Sequence, residues 1–591
     1  MHAETLHTKA QSTTCVRGFF TLGDRNWEGF PLRSRESPFF RAEPAINNQN
    51  QIQGKAPSID ADAACRELPA QDSLRQKPSI DAPGQNMMDI YIFSFLFSFL
   101  LLLFLAPFFL KLNEHGSDAR LPPGPRKLPV IGSLHHLLGN PLPHHALAAL
   151  AKQYGPVMHL KLGEISTLVV SSPAAASEIM KTQDISFAHR AMPLATKIVG
   201  YGEKGIVMSS YGPYWREVRK VCILELLSGK RVHSFRPIRE QEALNLVRSI
   251  ASLSDAGSIV NLSKKLLQLG NDIVARAING SKCTYQKEFL QLMTIGLQAA
   301  GGFSLVDLFP SSSLVRLLSG LALDMHKLHE EFDMILGSII HEHKQRRASN
   351  NKQEEMDMVD VMLQIQDDGS LPFPLTDDSI KAIMLDLFIA GSETSATTLE
   401  WAMSELMRNP AVMKRAQREV REAVGAKEKV TEEDVNNMSY LKLVVKENFR
   451  LHPPAPLLLP RECRENTEIF GYQLPAMTRV FVNVWAMGRD PQLWEDPQEF
   501  KPERFKESTV DFKGRNFEFL PFGAGRRMCP GMASGLANVQ LPLACMLYYF
   551  DWELPGTSKD ELNMDETFML TTRRRFDLCL RALPRFPCPS S

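Results

Sequence analysis

Apolar and polar positions divide the chain into stretches of different character. Residues 1–86 hold no sustained apolar period. They are rich in Gln, Asn, Ser and Pro, and PSIDA occurs twice, at Pro57–Ala61 and Pro78–Ala82. Such a composition buries too little apolar surface to offset the entropy of ordering, so the stretch reads as disordered. It reads equally as a gene-model extension ahead of a native start at Met87 or Met88. Glu4, Asp24, Glu28 and Glu36 argue against a plastid transit peptide. The run IYIFSFLFSFLLLLFLAPFFL, Ile90 to Leu110, is free of charge. At about 1.5 Å per residue it rises about 31 Å, one hydrocarbon core, and residues 87–112 read as a transmembrane anchor. Lys111, Arg120, Arg126 and Lys127 place the remainder of the chain on the cytosolic side. The run is too long for a signal peptide and no small-residue cleavage site comes after it. Residues 113–132, ending in LPPGPRKLPVIG, read as a proline-stiffened hinge.

From residue 133 to 591 the periods are those of one folded body. HHALAALAKQYG predicts a short helix, and VMHLKL and STLVVSS around Gly163-Glu164 predict a hairpin. From about Pro173 to Ala426 nearly every long segment has helical period, with few strand signals. Mixed turns and short strands return between Pro453 and Phe500. The fold expected is mainly α with a small β portion. One helical run, Thr376 to Arg408, would cross the whole body, with Thr376, Asp377 and Asp378 as its cap.

Composition narrows the function. Of 591 residues, 44% are apolar and 23% charged, enough for a sizeable core, and length alone would allow two domains. Lys plus Arg equals Asp plus Glu at 67 each, so bulk charge gives no reason for a nucleic-acid partner. Nine scattered cysteines include no Cys-x-x-Cys pair, which disfavours zinc ribbons, iron–sulfur clusters and disulfide scaffolds. There is no glycine-rich dinucleotide fingerprint and no Walker sequence, so nucleotide chemistry would have to come from another protein.

Four short constellations carry candidate chemistry. In PFGAGRRMCPG, Pro521 to Gly531, a bent loop holds Cys529 ahead of an apolar helix. A single thiolate cannot hold zinc alone, but it can be the sole protein ligand of a haem iron; the alternative is a packed, inert cysteine. Arg527, two residues earlier, could pair with a porphyrin propionate. In AGSETS, Ala390 to Ser395, a glycine and hydroxyls interrupt the long helix with no evident packing reason. That reads as a local opening where a small ligand binds and protons pass, or as a kink with back-bonded hydroxyls. In KENFRLHPP, Glu447 and Arg450 share a helix face, with Arg504 of FKPERF as a third partner. In WREVR, Trp215 and Arg219 lie four apart and could clamp an anionic group.

Together and in this order, WxxxR, AGxET, ExxR, PERF and FxxGxRxCxG resemble the cytochrome P-450 family, from about Arg120 to Arg585. The anchor, hinge and motif wording resemble plant microsomal members, and within them the branch of premnaspirodiene-oxygenase-like terpene hydroxylases. The resemblance implies the family fold behind one N-terminal transmembrane helix, in the endoplasmic reticulum membrane with the catalytic domain cytosolic. It implies haem b as cofactor and Cys529 as the axial thiolate. Arg527, Trp215, Arg219 and Arg461 would contact propionates, while Phe522, Gly523, Gly525 and Gly531 shape the haem loop. Glu447, Arg450 and Arg504 would form a structural triad. Glu393 and Thr394 would be the acid and alcohol that pass protons as dioxygen is reduced.

The reaction implied inserts one oxygen atom from O2 into an apolar small molecule, with NADPH electrons arriving through a membrane-bound reductase. Pocket residues expected by resemblance include Ile383, Leu387, Ala390, Leu457, Leu458, Phe568 and Met569, an apolar set that suits a terpenoid. Alkaloid, phenolic or oxime substrates belong to neighbouring branches. A haem-thiolate isomerase or dehydratase would usually lack the acid–alcohol pair, and a non-catalytic haem-binding membrane protein would need neither that pair nor a reductase. Arg216, Lys220, Lys230 and Arg231 make a basic surface for an acidic reductase, or a solvated helix face.

Overall fold

The computed structural model describes residues 120–349, 356–556 and 562–589, together with Ser98. The 1–86 stretch and, Ser98 apart, the Ile90–Leu110 run lie outside the described residues. Among the described residues no helix is long and apolar enough to cross a membrane.

Six helices position the site: α1 (Pro143–Tyr154), α2 (Pro213–Val221), α3 (Leu262–Asn279), α4 (Asp377–Arg408), α5 (Ser439–Leu451) and α6 (Met532–Tyr549). The strands are short. In chain order they are β1 (Val157–Leu162), β2 (Ile165–Val170), β3 (His189–Arg190), β4 (Val260–Asn261), β5 (Arg461–Glu462) and β6 (Thr467–Ile469). Then come β7 (Tyr472–Leu474), β8 (Arg479–Val482), β9 (Phe550–Glu553), β10 (Glu566–Phe568), β11 (Thr572–Arg574) and β12 (Cys579–Pro584). The largest sheet has the order β1-β2-β8-β5-β3, with β4-β12-β9 and two hairpins, β6-β7 and β10-β11, beside it. The mainly helical body with a small β portion is therefore as expected.

Local chemistry explains the elements. The β1–β2 hairpin closes through Gly163-Glu164, with Leu162 opposite Ile165. Gly163 has φ +60°, and a Cβ there would stand 2.5 Å from Leu308 O, so only glycine fits this turn. Helix α4 begins at its expected cap, where the Thr376 side chain accepts the Ser379 amide. Its 32 residues span about 48 Å through the core.

Helix α4 lies unusually close to α3. A Cβ on Gly270 would be 2.7 Å from Ser392 O, and one on Gly391 would be 2.9 Å from Val274 Cγ2. The glycine of AGSETS thus has the packing reason that the sequence did not reveal: Gly391 makes room for the Val274 side chain, while Gly270 lets the α3 backbone meet that of α4 at Ser392.

The described part of the proline-rich segment lies along β1 and is tied to it. Pro123 O accepts the His159 amide at 2.9 Å, and the Ser133 amide donates to Lys161 O at 2.5 Å. Gly124 and Gly132 permit this approach, since a Cβ on either would fall within 2.1 Å of the β1 carbonyls. From Pro123 to Ser133 the segment is thus bonded to the body; residues 113–119 of the expected hinge lie outside the described residues.

Candidate active site

The loop ahead of α6 is folded around its cysteine. The Cys529 amide donates to Phe522 O at 2.9 Å, closing the turn, and Gly531 caps α6 behind it. Gly523 and Gly525 take φ of +68° and +67°, a region that costs other residues energy. A Cβ on Gly525 would meet Met180 O at 2.2 Å and the Asp184 carboxylate at 2.8 Å. The Cys529 side chain opens onto a cavity of about 380 Å³. The protein packed around the sulfur pushes its pKa up, against the pull of the Gly531 amide and the Arg219 charge. A metal bound here would displace the thiol proton.

Four guanidiniums ring the same end of the cavity: Arg190, Arg219, Arg461 and Arg527. Arg461 pairs with Asp184 at 2.8 Å, and Asp184 also takes the Arg526 amide at 2.7 Å and its side chain at 3.2 Å. The others hold backbone carbonyls. Arg527 Nε donates to Ala188 O at 2.8 Å, Arg190 Nη1 to Leu459 O at 2.6 Å, and Arg219 to Met528 O. Arg527 Nη1 is buried without a partner. On β3 and β5, Arg190 and Arg461 stand directly opposite each other, a like-charge pairing that destabilises a sheet. Burial and the neighbouring arginines push the Arg527 pKa down to about 9 and that of Arg190 well below its ordinary value. This surplus of buried positive charge calls for an anion. A haem fits it: two propionates for the guanidiniums, and a thiolate facing the iron.

Away from the cavity, Glu447 and Arg450 on α5 are 0% and 1% exposed. They form a two-pronged ion pair, 2.8 Å on each arm, and Arg504 Nε reaches Glu447 at 3.0 Å. The Lys501 amide and the carbonyls of Pro497 and Glu499 complete the set. All three expected members meet.

Helix α4 forms one wall of the cavity with Leu387, Ala390, Gly391 and Thr394. The Thr394 hydroxyl is bonded back to Ala390 O at 2.7 Å, as the kink reading of AGSETS expected, yet the side chain faces the cavity. Glu393 is 2% exposed and lies behind that wall. It accepts Thr571 Oγ1 at 3.4 Å and Thr397 Oγ1 at 3.5 Å, with the Arg573 guanidinium 3.7 Å away. Burial pushes its pKa up, opposed by Arg573 and the two hydroxyls. Asp386 also borders the cavity and accepts the Ile206 and Val207 amides at 2.7 and 2.9 Å.

A family model described as cytochrome P450 matches residues 122–580. The chain belongs to the cytochrome P-450 family. It is 53% identical over 491 residues to a desmethyl-deoxy-podophyllotoxin synthase of Sinopodophyllum hexandrum, covering 82% of this chain and 96% of that one. It is 49% identical over 479 residues to a premnaspirodiene oxygenase of Hyoscyamus muticus, covering 80% and 95%. Among solved structures, a zebrafish cytochrome P-450 with abiraterone shares the fold at a TM-score of 0.64 and 26% identity, covering 76% of this chain and all of that one. The plant relatives support a plant member of the terpene-hydroxylase branch. The enzyme is a cytochrome P-450 monooxygenase, with haem b, O2 as co-substrate and NADPH-derived electrons delivered by a reductase.

Of the residues expected to hold the haem of this P-450, Cys529, Arg527, Arg219, Arg461, Phe522, Gly523 and Gly531 line the cavity. Trp215 does not. Its indole N–H is spent on Ile206 O at 2.9 Å, and its ring carries Arg527 and Arg219 at 4.0 and 5.2 Å. In this structure it is a platform for the Arg527 and Arg219 guanidiniums. Gly525 is also absent from the wall, and crowding by Asp184 explains it instead.

The pocket residues need finer correction. Leu387, Ala390 and Leu458 border the cavity. Ile383 is one turn along α4 from Leu387 and is sealed in the helical core with Phe332 and Leu336. Leu457 turns to the sheet and packs with Leu160 and Phe481, because the chain makes a turn here, closed by the Leu458 amide on Ala455 O at 3.0 Å, with Leu458 at φ +50°. Phe568 packs tilted against His144 and edge-on against Phe303, and Met569 is buried, so Leu570 and Thr571 supply the wall there. Sequence reasoning missed Arg190, Asp184, Asp386 and Thr571. None belongs to a spaced motif, and each is recruited by long-range pairing.

Proposed function

We propose that this monooxygenase inserts oxygen into an apolar terpenoid of plant specialised metabolism, while anchored in the endoplasmic reticulum membrane with its body in the cytosol. The observation that carries the substrate class is the apolar part of the cavity wall. It is built from side chains such as Val199, Leu297, Leu387, Ala390, Leu458 and Leu570, which suit a hydrocarbon. The likeness to premnaspirodiene oxygenase supports the same class.

When bound, the haem supplies the activation of dioxygen. The chain supplies the rest. Cys529 would hold the iron, and Arg190, Arg219, Arg461 and Arg527 would hold the propionates, with Arg219 and Arg527 resting on the Trp215 ring. Burial raises the Glu393 pKa above that of a surface carboxyl, and Thr394 borders the substrate space. The Glu447–Arg450–Arg504 triad fixes the backbone from Gly488 to Glu499 without touching the cavity.

A second reading is favoured by the 53% identity to desmethyl-deoxy-podophyllotoxin synthase: a podophyllotoxin-type substrate in the same cavity. Co-expression with a plant reductase separates the two. Terpene hydrocarbons and deoxypodophyllotoxin-type compounds are fed in parallel and oxygenated products read by mass spectrometry, with Cys529→Ala as the blank. Oxygenated terpenes are expected; turnover of the second set alone would overturn the terpenoid assignment.

A further inference from the structure

The acid and the alcohol of AGSETS do not touch the cavity in the same way. Thr394 lines it, but its hydroxyl hydrogen is committed to Ala390 O at 2.7 Å. Glu393, whose pKa burial raises, lies behind the wall. One side chain touches both. Thr571 borders the cavity, and its Oγ1 stands 3.4 Å from Glu393 Oε1. The second hydroxyl on Glu393, that of Thr397, is buried within α4 and is not part of the cavity wall.

We propose that Thr571, in the turn between β10 and β11, is the hydroxyl through which the Glu393 proton enters the cavity. The turn is firmly held. The Leu570 amide donates to Leu297 O at 3.2 Å, the Thr572 amide to Pro454 O at 2.9 Å, and the Trp401 indole to Thr572 O at 3.1 Å. These bonds fix the backbone on both sides of Thr571 and leave its hydroxyl free to rotate, as a donor or an acceptor. In the transfer, the carboxyl O–H of Glu393 breaks as its proton passes to Thr571 Oγ. The original Thr571 hydrogen leaves to reduced dioxygen, the co-substrate of the monooxygenase reaction. The hydroxyl is unchanged overall, Glu393 is left as carboxylate, and it is reprotonated from water along the partly exposed Arg573, 3.7 Å away. Burial favours the protonated acid at the start of each cycle.

The inference rests on Glu393 as the proton donor, and the experiment tests the two apart. Haem-loaded enzyme with reductase is given NADPH and premnaspirodiene as probe hydrocarbon, and peroxide released per NADPH consumed is measured, which requires no product. Thr571→Val is expected to bind haem normally and raise peroxide about tenfold, within the usual reach of one proton-transfer group. Thr571→Ser is expected to stay within about twofold of the parent, because it keeps the hydroxyl. By infrared spectroscopy, the protonated-carboxyl band that vanishes in Glu393→Gln should shift in Thr571→Val and hold in Thr571→Ser. Should the valine variant not load haem, Thr571→Ala replaces it. A parent-like peroxide ratio in the hydroxyl-free variant, failure of serine to rescue, or an unmoved band overturns the relay. A parent-like ratio in Glu393→Gln overturns the donor assignment beneath it.

Discussion

Two buried charge clusters in this enzyme are built on opposite plans. The Glu447–Arg450–Arg504 triad is closed: each arm of the glutamate is taken, and the arginines end on backbone carbonyls. The cluster of Arg190, Arg219, Arg461 and Arg527 is open. Its one directly paired carboxylate is Asp184, and Arg527 Nη1 has no partner. The first is finished when the chain folds. The second is finished by a ligand. Burial of ions is thus no index of function by itself; an imbalance of charge is.

The contrast can be broken most sharply at its closed end. Glu447→Ala leaves Arg450 buried and unpaired and should lower unfolding free energy by about 3–5 kcal/mol. The check is denaturant unfolding of the apoprotein, or the folded yield where that protein no longer accumulates. Arg527→Ala should behave in the reverse manner. Removing one of four like charges offsets the bonds it loses, so apoprotein stability should change by less than about 1 kcal/mol. Haem should then leave about tenfold faster, the equivalent of one charge-assisted hydrogen bond. Transfer of haem to an acceptor globin measures this. An apoprotein that unfolds as readily as Glu447→Ala would erase the distinction.

Asp386 sharpens the comparison with a smaller effect, because its buried charge is met by two backbone amides and no cation. Burial pushes its pKa up to about 6, with the Val207 and Ile206 amides pulling it down. The folded protein then holds this proton more tightly than the unfolded chain, whose aspartate titrates near about 4. Stability contributed here is present below that value and falls as pH rises from about 4 to about 6. Asp386→Asn should flatten the fall, seen as unfolding midpoints that differ less across that window. An unchanged slope would show that the loop amides hold the carboxylate at its ordinary pKa.

Legibility in the sequence tracks the reach of each signal. Thr376 as cap, the β1–β2 turn and the Glu447–Arg450 spacing are set by neighbours a few residues away, and periodicity reports them directly. Cys529 is local too, but the ring of guanidiniums around it is not. Arg190 meets Arg461 only because β3 pairs with β5. The misplaced wall residues Leu457, Phe568 and Met569 adjoin positions that do face the cavity. A face is chosen by what packs behind it, and composition alone does not carry that. Gly391 failed for the same reason, since its explanation is Val274 on another helix.

That contact between α3 and α4 also bears on how such an enzyme changes its substrate over generations. Bulk added at Gly270 or Gly391 would prise the two backbones apart and disturb the helix that carries Glu393 and Thr394. Changes of pocket shape are therefore expected away from that contact, at wall side chains such as Leu458, Leu570 and Val199. A change of substrate then has to be made in the borders of the pocket rather than in the helix pair that carries Glu393 and Thr394.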